Sequence, residues 1–302
     1  MTAGFSIEAA LSRLDGPPRR VISLVPSYTQ SLFDLGFGAS LVGITDYCTH
    51  PRGKLERLQK VGGPKSPDFA KIRKLQPDLI LANQEENDRE GIHMLHDAGL
   101  NVWLSFPRSV KELFDVLSDF VRLFADEEAS LRLRMLETSF EWAALAAGGN
   151  RFRYFCPIWQ DLSPEGQWHW ITFNRDTYSS DLLDRLGAEN IFSDRRRRYP
   201  LEADLDCADA ESPGDRDTRY PRVPCAEVIS RQPDFILVPD EPCVFDPASE
   251  RILLDLLAET PAVRNNRVYR VEGRLITWCG TAIGEAAQQL PSLLDMLETG
   301  DS

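Results

Sequence analysis

The sequence predicts an α/β protein of two Rossmann-like lobes with parallel sheets, joined by a long rigid helix and enclosing a ligand cleft. Three observations predict this. Ile72-Arg73-Lys74-Leu75-Gln76-Pro77-Asp78-Leu79-Ile80-Leu81-Ala82 is echoed by Val228-Ile229-Ser230-Arg231-Gln232-Pro233-Asp234-Phe235-Ile236-Leu237-Val238. The same helix, Gln-Pro-Asp turn and short apolar strand therefore stand in both halves, because proline ends a helix and the run after it suits a buried strand. Helix and strand patterns also alternate up to Val102-Trp103-Leu104, the mark of a parallel sheet. From Ser109 to about Ala147 the alternation stops, and Val110, Leu113, Phe114, Leu117, Phe120, Val121, Leu123 and Phe124 recur at helical spacing.

In chain order, Arg19 to Ser27 opens with a buried strand, Thr29 to Leu35 is a short helix, and Gly36 to Gly38 closes it before a strand over Leu41 to Thr45. Residues 1–108 form the first lobe, 109–148 a helical spine, and 149–302 the second lobe. A spine of one or two long helices would resist wide hinge opening. The second lobe is expected to start at Arg151, with strands through Phe155-Cys156-Pro157-Ile158-Trp159 and Trp168-His169-Trp170-Ile171-Thr172, then a helix from Ser179 to Leu186 stopped by Gly187. Residues 194–222 carry mixed charge without apolar periodicity and read as a mobile surface insert. Ala282 to Leu297 reads as an amphipathic closing helix.

The chain has 302 residues, 42% of them hydrophobic, enough for two modest cores. A net charge of −13 works against nucleic acid and anionic membrane surfaces as partners, since both would repel it. The start, Met1-Thr2-Ala3-Gly4-Phe5, has neither basic nor apolar leader character, and no apolar run is long enough for stable membrane insertion. A cytoplasmic location is expected, with an extracytoplasmic one as the alternative should the start lie upstream. Cys48, Cys156, Cys207, Cys225, Cys243 and Cys279 are dispersed without a CxxC pair, which suits thiols rather than a zinc knuckle. No nucleophile elbow, P-loop, GxGxxG or HExxH is present, so no enzyme activity is expected.

Four loops at strand ends, where open α/β sheets bind ligands, concentrate polar and aromatic side chains. Cys48 and His50, beside Tyr47, could offer sulfur and imidazole to a metal, although a bare C-x-H is also compatible with structure alone. Gly62-Gly63-Pro64-Lys65 lets backbone approach a ligand and adds a cation, or is an ordinary turn. Asn83-Gln84-Glu85-Glu86-Asn87-Asp88 includes one helix N-cap, Asn87 or Asp88, and two adjacent acids, Glu85 and Glu86, that capping does not explain. In the second half, Trp168 and Trp278 lie beside loops and suit the wall of a pocket for a flat organic ligand, whereas Trp159 and Trp170 suit core equally well.

These residues resemble a known family. Val21-Ile22-Ser23-Leu24-Val25-Pro26-Ser27, the Gln-Pro-Asp motif, the spine and Gly187-Ala188-Glu189-Asn190-Ile191-Phe192 are similar to the class III substrate-binding proteins of vitamin B12 and iron-siderophore importers. Within that helical-backbone metal receptor group the closest likeness is to a branch without signal peptides, which shares Cys48-Thr49-His50-Pro51, Gly62-Gly63-Pro64-Lys65, Glu85-Glu86-Asn87, Asp176-Thr177 and Glu241-Pro242. The resemblance implies a soluble, non-catalytic binding protein for a metal chelate, corrinoid or siderophore-like ligand such as cobalamin, haem or a ferric chelate. Its ligand contacts would be Pro26, Ser27, Tyr47, Lys65, Asn83, Glu85, Glu86, Trp168, Tyr220, Glu241 and Trp278, with Cys48 and His50 toward a metal. The alternatives are the extracytoplasmic component of an ABC importer and a cytosolic metal-inserting or corrinoid-modifying enzyme. Against a permease partner, Ala70 and Ala226 stand where docking glutamates are expected, with Asp68 and Glu227 nearby.

Overall fold

The computed structural model describes residues 3–147 and 152–299. The boundary expected at 148/149 and the strand start expected at Arg151 lie outside the described residues. Contacts group the chain into two compact units. Unit 1 comprises Met1–Pro107, Lys111–Ser139 and Trp278–Gly284; unit 2 comprises Arg108–Val110, Phe140–Thr277 and Glu285–Ser302.

Unit 1 runs α1 (Ile7–Ser12), β1 (Val21–Ser23), α2 (Pro26–Leu35), β2 (Leu41–Ile44), β3 (Gln59–Lys60), β4 (Gly62–Gly63), β5 (Ser66–Pro67), α3 (Phe69–Lys74), β6 (Leu79–Asn83), α4 (Arg89–Asp97) and β7 (Val102–Ser105). Its main sheet has the order β3-β2-β1-β6-β7 and is parallel throughout. Ile22 and Leu24 around β1, Ile80 and Ala82 of β6 and Val102 of β7 pack with Ile72 of α3 and Ile92 and Leu95 of α4 in one buried cluster. The expected spine is two consecutive helices, α5 (Val110–Phe124) and α6 (Glu127–Ala146). Ala125 breaks them by taking a positive φ of 50°, and Asp126 restarts the helix by accepting the Ala129 N–H at 2.8 Å.

Unit 2 continues with β8 (Phe152–Phe155), β9 (Trp159–Leu162), β10 (Trp168–Ile171), α7 (Tyr178–Arg185), β11 (Ala188–Asn190), α8 (Leu201–Asp204), β12 (Arg222–Pro224), α9 (Cys225–Arg231), β13 (Phe235–Pro239), α10 (Pro247–Leu256), α11 (Pro261–Arg264), β14 (Val268–Val271), α12 (Arg274–Thr277) and α13 (Ile283–Thr299). A parallel sheet has the order β11-β8-β13-β14. Beside it is an antiparallel sheet, β12-β10-β9, which the alternation argument did not foresee. β9 and β10 form a hairpin: the Ser163-Pro164-Glu165-Gly166 turn between them breaks what looks like one run of parallel elements, with Gly166 at φ 84°.

The sequence echo is one structural device used twice. Gln76 and Gln232 both take positive φ, 45° and 47°, ending α3 and α9 so that the proline can lead into β6 and β13. The Asp that follows then holds the entry of the neighbouring strand. Asp78 accepts the Arg19 N–H at 2.7 Å, and Asp234 accepts the Arg153 N–H at 2.8 Å. In return the Asp78 and Asp234 N–H groups donate to the carbonyls of Arg20 and Arg153. Each turn therefore sets the register of a central parallel pair.

The insert at 194–222 is tied to the lobe by charge pairs. Asp204 is fully buried. Its carboxylate accepts from Arg195 Nη1 at 2.9 Å, the Arg198 N–H at 2.9 Å, the Arg222 N–H at 2.9 Å and Arg222 Nε at 3.1 Å. Arg195 also pairs with Glu227, which in turn holds Arg231. The guanidinium groups of Arg197, Arg216 and Arg222 gather around the ring of Tyr199, between 4.2 and 5.8 Å from its centroid. Mixed charge cannot form an apolar core, but one buried carboxylate with four donors can organise a segment that has none.

Candidate functional site

The strand-end loops of unit 1 bring most of the expected residues together. Pro26 supplies the first position of α2, where a missing N–H costs nothing. Ser27 follows it, buried, with an Oγ that has no hydrogen-bond partner among the described residues. Against this turn lies Gly280, where a Cβ would stand 2.7 Å from Ser31 Oγ and 2.9 Å from the Ser27 carbonyl oxygen. Only glycine lets the Trp278-Cys279-Gly280 segment sit there, and the Thr281 N–H donates to Ser31 Oγ at 3.0 Å to fasten it. Trp278 thereby reaches His50, with ring centroids 5.7 Å apart and planes at 86°. This edge-to-face pair is the favoured geometry for two rings. Tyr47 is 67% exposed and lies against Gly63, where a Cβ would come within 3.3 Å of its ring.

Cys48 has a different setting from its neighbour. Its buried Sγ lies 3.2 Å from both Thr29 Oγ1 and Thr45 Oγ1. Burial pushes the thiol above its usual pKa, outweighing those hydrogen bonds, so it stays protonated at neutral pH. A protonated, hydroxyl-bonded thiol is a poor metal ligand. His50 Nδ1 pairs with Thr49 Oγ1 at 3.0 Å. Among the described residues no group of three or more His, Cys, Asp or Glu could hold a metal ion.

The acidic loop after β6 is held by amides. The Asn83 side chain donates to Tyr28 Oη at 3.1 Å and accepts the Glu85 N–H at 2.8 Å. Buried Asn87 accepts the Asn83 N–H at 2.8 Å and donates to the carbonyls of Leu24 at 3.0 Å and Pro64 at 3.1 Å, tying three loops together. The N-cap of α4 is Asp88, which accepts the Gly91 N–H at 2.8 Å. Exposed Lys65 donates from its ammonium to the Glu85 carbonyl at 2.9 Å, which leaves its charge and two further N–H donors at the loop. Glu85 and Glu86 are partly buried. Burial first, then the nearby charges of Glu85, Glu86 and Glu112, hold the Cys279 thiol well above its ordinary pKa. Beneath them Tyr28 Oη meets Ser105 Oγ at 2.5 Å. Burial is the main cause that raises the Tyr28 pKa, so the phenol stays neutral. Tyr28 and Ser105 escaped the sequence reading. Their signal was a polar residue closing each of two apolar strands, Asn83 on β6 and Ser105 on β7.

Unit 2 holds Trp168, Tyr220 and Glu241. Trp168 is partly exposed at the start of β10, opposite Leu162. Tyr220 lies under the Arg219 guanidinium, 5.2 Å from its centroid. Glu241 lies over Gly273. Trp170 is core, donating Nε1–H to Gln160 Oε1 at 2.8 Å, whereas Trp159 is 43% exposed. His169, next to them, is buried, and burial lowers its pKa; Asp161, Asp204 and Arg222 are the charges that act on it. The unfolded chain therefore takes up a proton before the folded one. Above the ordinary imidazole pKa of about 6.5 the residue is neutral in both states. As pH falls below that value, unfolding binds a proton and stability drops. Unfolding free energies at pH 7.5 and pH 5.5 are expected to differ less in His169→Gln than in the unsubstituted chain, and equal pH slopes would refute this.

The periplasmic binding protein family matches residues 21–119. A vitamin B12-binding protein of Vibrio cholerae is 26% identical over 262 residues, covering 84% of this chain and 80% of that protein. The crystal structure of the periplasmic vitamin B12 binding protein BtuF of Vibrio cholerae covers 93% of this chain and 98% of its own, at 23% identity and a TM-score of 0.72. The fold is that of the class III substrate-binding proteins. The same class III fold relates the chain to the periplasmic heme-binding protein RhuT from Roseiflexus sp. RS-1, with a TM-score of 0.72, 19% identity, and 92% and 98% of the two chains covered. An uncharacterized ABC transporter substrate-binding lipoprotein, YvrC of Bacillus subtilis strain 168, is 24% identical over 277 residues, 90% of this chain and 79% of that protein. The two parallel sheets expected from the sequence are those of this class III fold. No helix of the described residues is long and apolar enough to cross a membrane.

Proposed function

We propose that this is a non-catalytic binding protein whose ligand is a corrinoid or another metal chelate, received on the strand-end loops of unit 1. The observation that carries the reading is the exposed Tyr47 ring over Gly63 beside half-buried His50, which the buried Trp278 backs edge-on. A flat macrocycle with polar substituents matches such a surface beside the Glu85–Glu86 loop. Among the described residues no cluster of donors is large enough for a bare ion, so in this reading the ligand brings its own metal coordination. In this reading His50 is the residue able to approach an open metal position, and Cys48 is a strut between Thr29 and Thr45. The vitamin B12-binding and heme-binding relatives support the ligand class.

The test is titration of the folded chain with cobalamin, haem and ferric chelates, read by visible absorption and calorimetry. One of them is expected to bind, and Trp278→Leu is expected to weaken it about 10- to 100-fold. A chain that shifts none of the chromophores overturns the reading.

The importer reading rests on the likeness to the ABC transporter substrate-binding lipoprotein, and an extracytoplasmic site of action takes precedence over a cytoplasmic one for the same reason. Ala70 and Ala226 are exposed on α3 and α9. Neither neighbouring acid is spare: Asp68 accepts the Lys71 N–H at 3.0 Å as the cap of α3, and Glu227 is paired with Arg195 and Arg231. A permease partner would therefore have to recognise something other than an acid at these two positions. Cell fractionation with an antibody to the native chain separates the two locations.

A further inference from the structure

Helix α6 has two apolar faces. Ala129, Leu133 and Phe140 are buried, and this face serves the protein's own core. On the other side Leu131, Met135, Trp142 and Leu145 are 51, 65, 73 and 79% exposed. With exposed Thr138 they follow one another at intervals of four, three, four and three residues. That 3.5-residue average is the repeat of a two-helix seam, and on one unbroken helix it forms a straight row roughly 21 Å long. Single exposed apolar side chains are ordinary; a row of four large ones in helical register is a contact surface.

We propose that the occupant is a second copy of this chain, its own α6 lying antiparallel across the row with the twofold axis at Thr138. Self-complementarity carries this choice. The axis sets Leu131 opposite Leu145 of the second copy and Met135 opposite Trp142, so large faces large along the whole seam. It also sets Arg134, exposed on the edge of the row, opposite the exposed Glu141 of the second copy, and the symmetry makes that pair twice. Parallel alignment would instead stack Arg134 on Arg134 and Glu141 on Glu141. One helix face buries less than the roughly 800 Å² per partner of a standard interface, so the dimer is reversible and concentration-dependent. The inference is independent of the ligand reading and needs no ligand to be tested.

The experiment is sedimentation velocity on the full chain over about a hundredfold range of concentration, at physiological ionic strength, where the charge of each copy is screened beyond about 8 Å. A monomer–dimer equilibrium is expected. Trp142→Glu is expected to weaken it about 100-fold or more, since each dimer loses two central aromatic anchors. Arg134→Glu and Glu141→Arg are each expected to weaken it, and the double exchange to restore it. All these side chains are exposed, and circular dichroism checks that each variant folds. A chain that stays monomeric throughout overturns the proposal and leaves the row to a different protein. A dimer indifferent to Trp142→Glu, or a double exchange that fails to restore it, also overturns it.

Discussion

Asp204→Ala is expected to lose about 3–5 kcal/mol of stability in unit 2, the usual cost of removing one partner from a buried ion pair. The carboxylate has no exposed surface, and its four donors come from three residues spread across the 194–222 insert. Without it, buried Arg195 and partly buried Arg222 lose their shared carboxylate, and Glu227 remains paired with Arg195. The segment should then detach from β12 and become open to trypsin at Arg196 and Arg197. Asp204→Asn keeps the shape and should cost less, because it loses charge but keeps one acceptor oxygen. Chemical unfolding followed by near-ultraviolet circular dichroism, with limited proteolysis beside it, makes the measurement. If Asp204→Ala unfolds within about 1 kcal/mol of the unsubstituted chain and resists trypsin equally, the carboxylate is not what orders the insert.

Asn87→Ala should be the most damaging single change in unit 1 outside the apolar core. One buried amide receives the Asn83 N–H and supplies the carbonyls of Leu24 and Pro64. Truncation removes three hydrogen bonds at roughly 1 kcal/mol each, and more where the abandoned group stays dry. The same bonds place the loop that carries Glu85 and Glu86, so any ligand received there should also bind more weakly. Asn87→Asp discriminates between the two halves of the amide: it keeps the acceptor toward Asn83 but turns a charged oxygen on two carbonyls, and should be no better than alanine. Thermal unfolding of both variants is the check. An Asn87→Asp protein as stable as the original would mean that the two donated bonds contribute little.

Much of the fold was legible because it rests on short-range signals. The echo at Gln76-Pro77-Asp78 and Gln232-Pro233-Asp234 marks a helix stop followed by an apolar strand, and both features are local. Two errors share one cause, that sequence spacing carries no direction. The strand expected through Phe155 to Trp159 ends at Phe155, and Trp159 to Leu162 instead pairs antiparallel with Trp168 to Ile171. Cys48 and His50, two residues apart, read as a pair, yet Thr29 and Thr45 claim the thiol while His50 meets Trp278. The bonds that tie down the insert were hidden for a different reason. Periodicity detects apolar order only, and Asp204 looks like one acid among several until its four donors are in place. At the site, Tyr47, Trp278, Glu85 and Glu86 were visible as residue types at strand ends. Tyr28 and Ser105 were not, because their importance lies in a contact between residues far apart in the chain.

The place of Trp278–Gly284 within unit 1 has a consequence for how the protein is made. A ribosome releases residues 1–107 long before it reaches position 278, and chains acquire structure as they emerge. During that interval the sheet and α2 can form, but the groove over Ser27 and Ser31 that Gly280 fills is still empty, and His50 has no ring beside it. The nascent lobe thus carries an uncovered, half-built edge for most of its synthesis. A chain cut short anywhere before Trp278 would keep that edge for good, which makes such fragments natural clients for chaperones and poor substitutes for the whole.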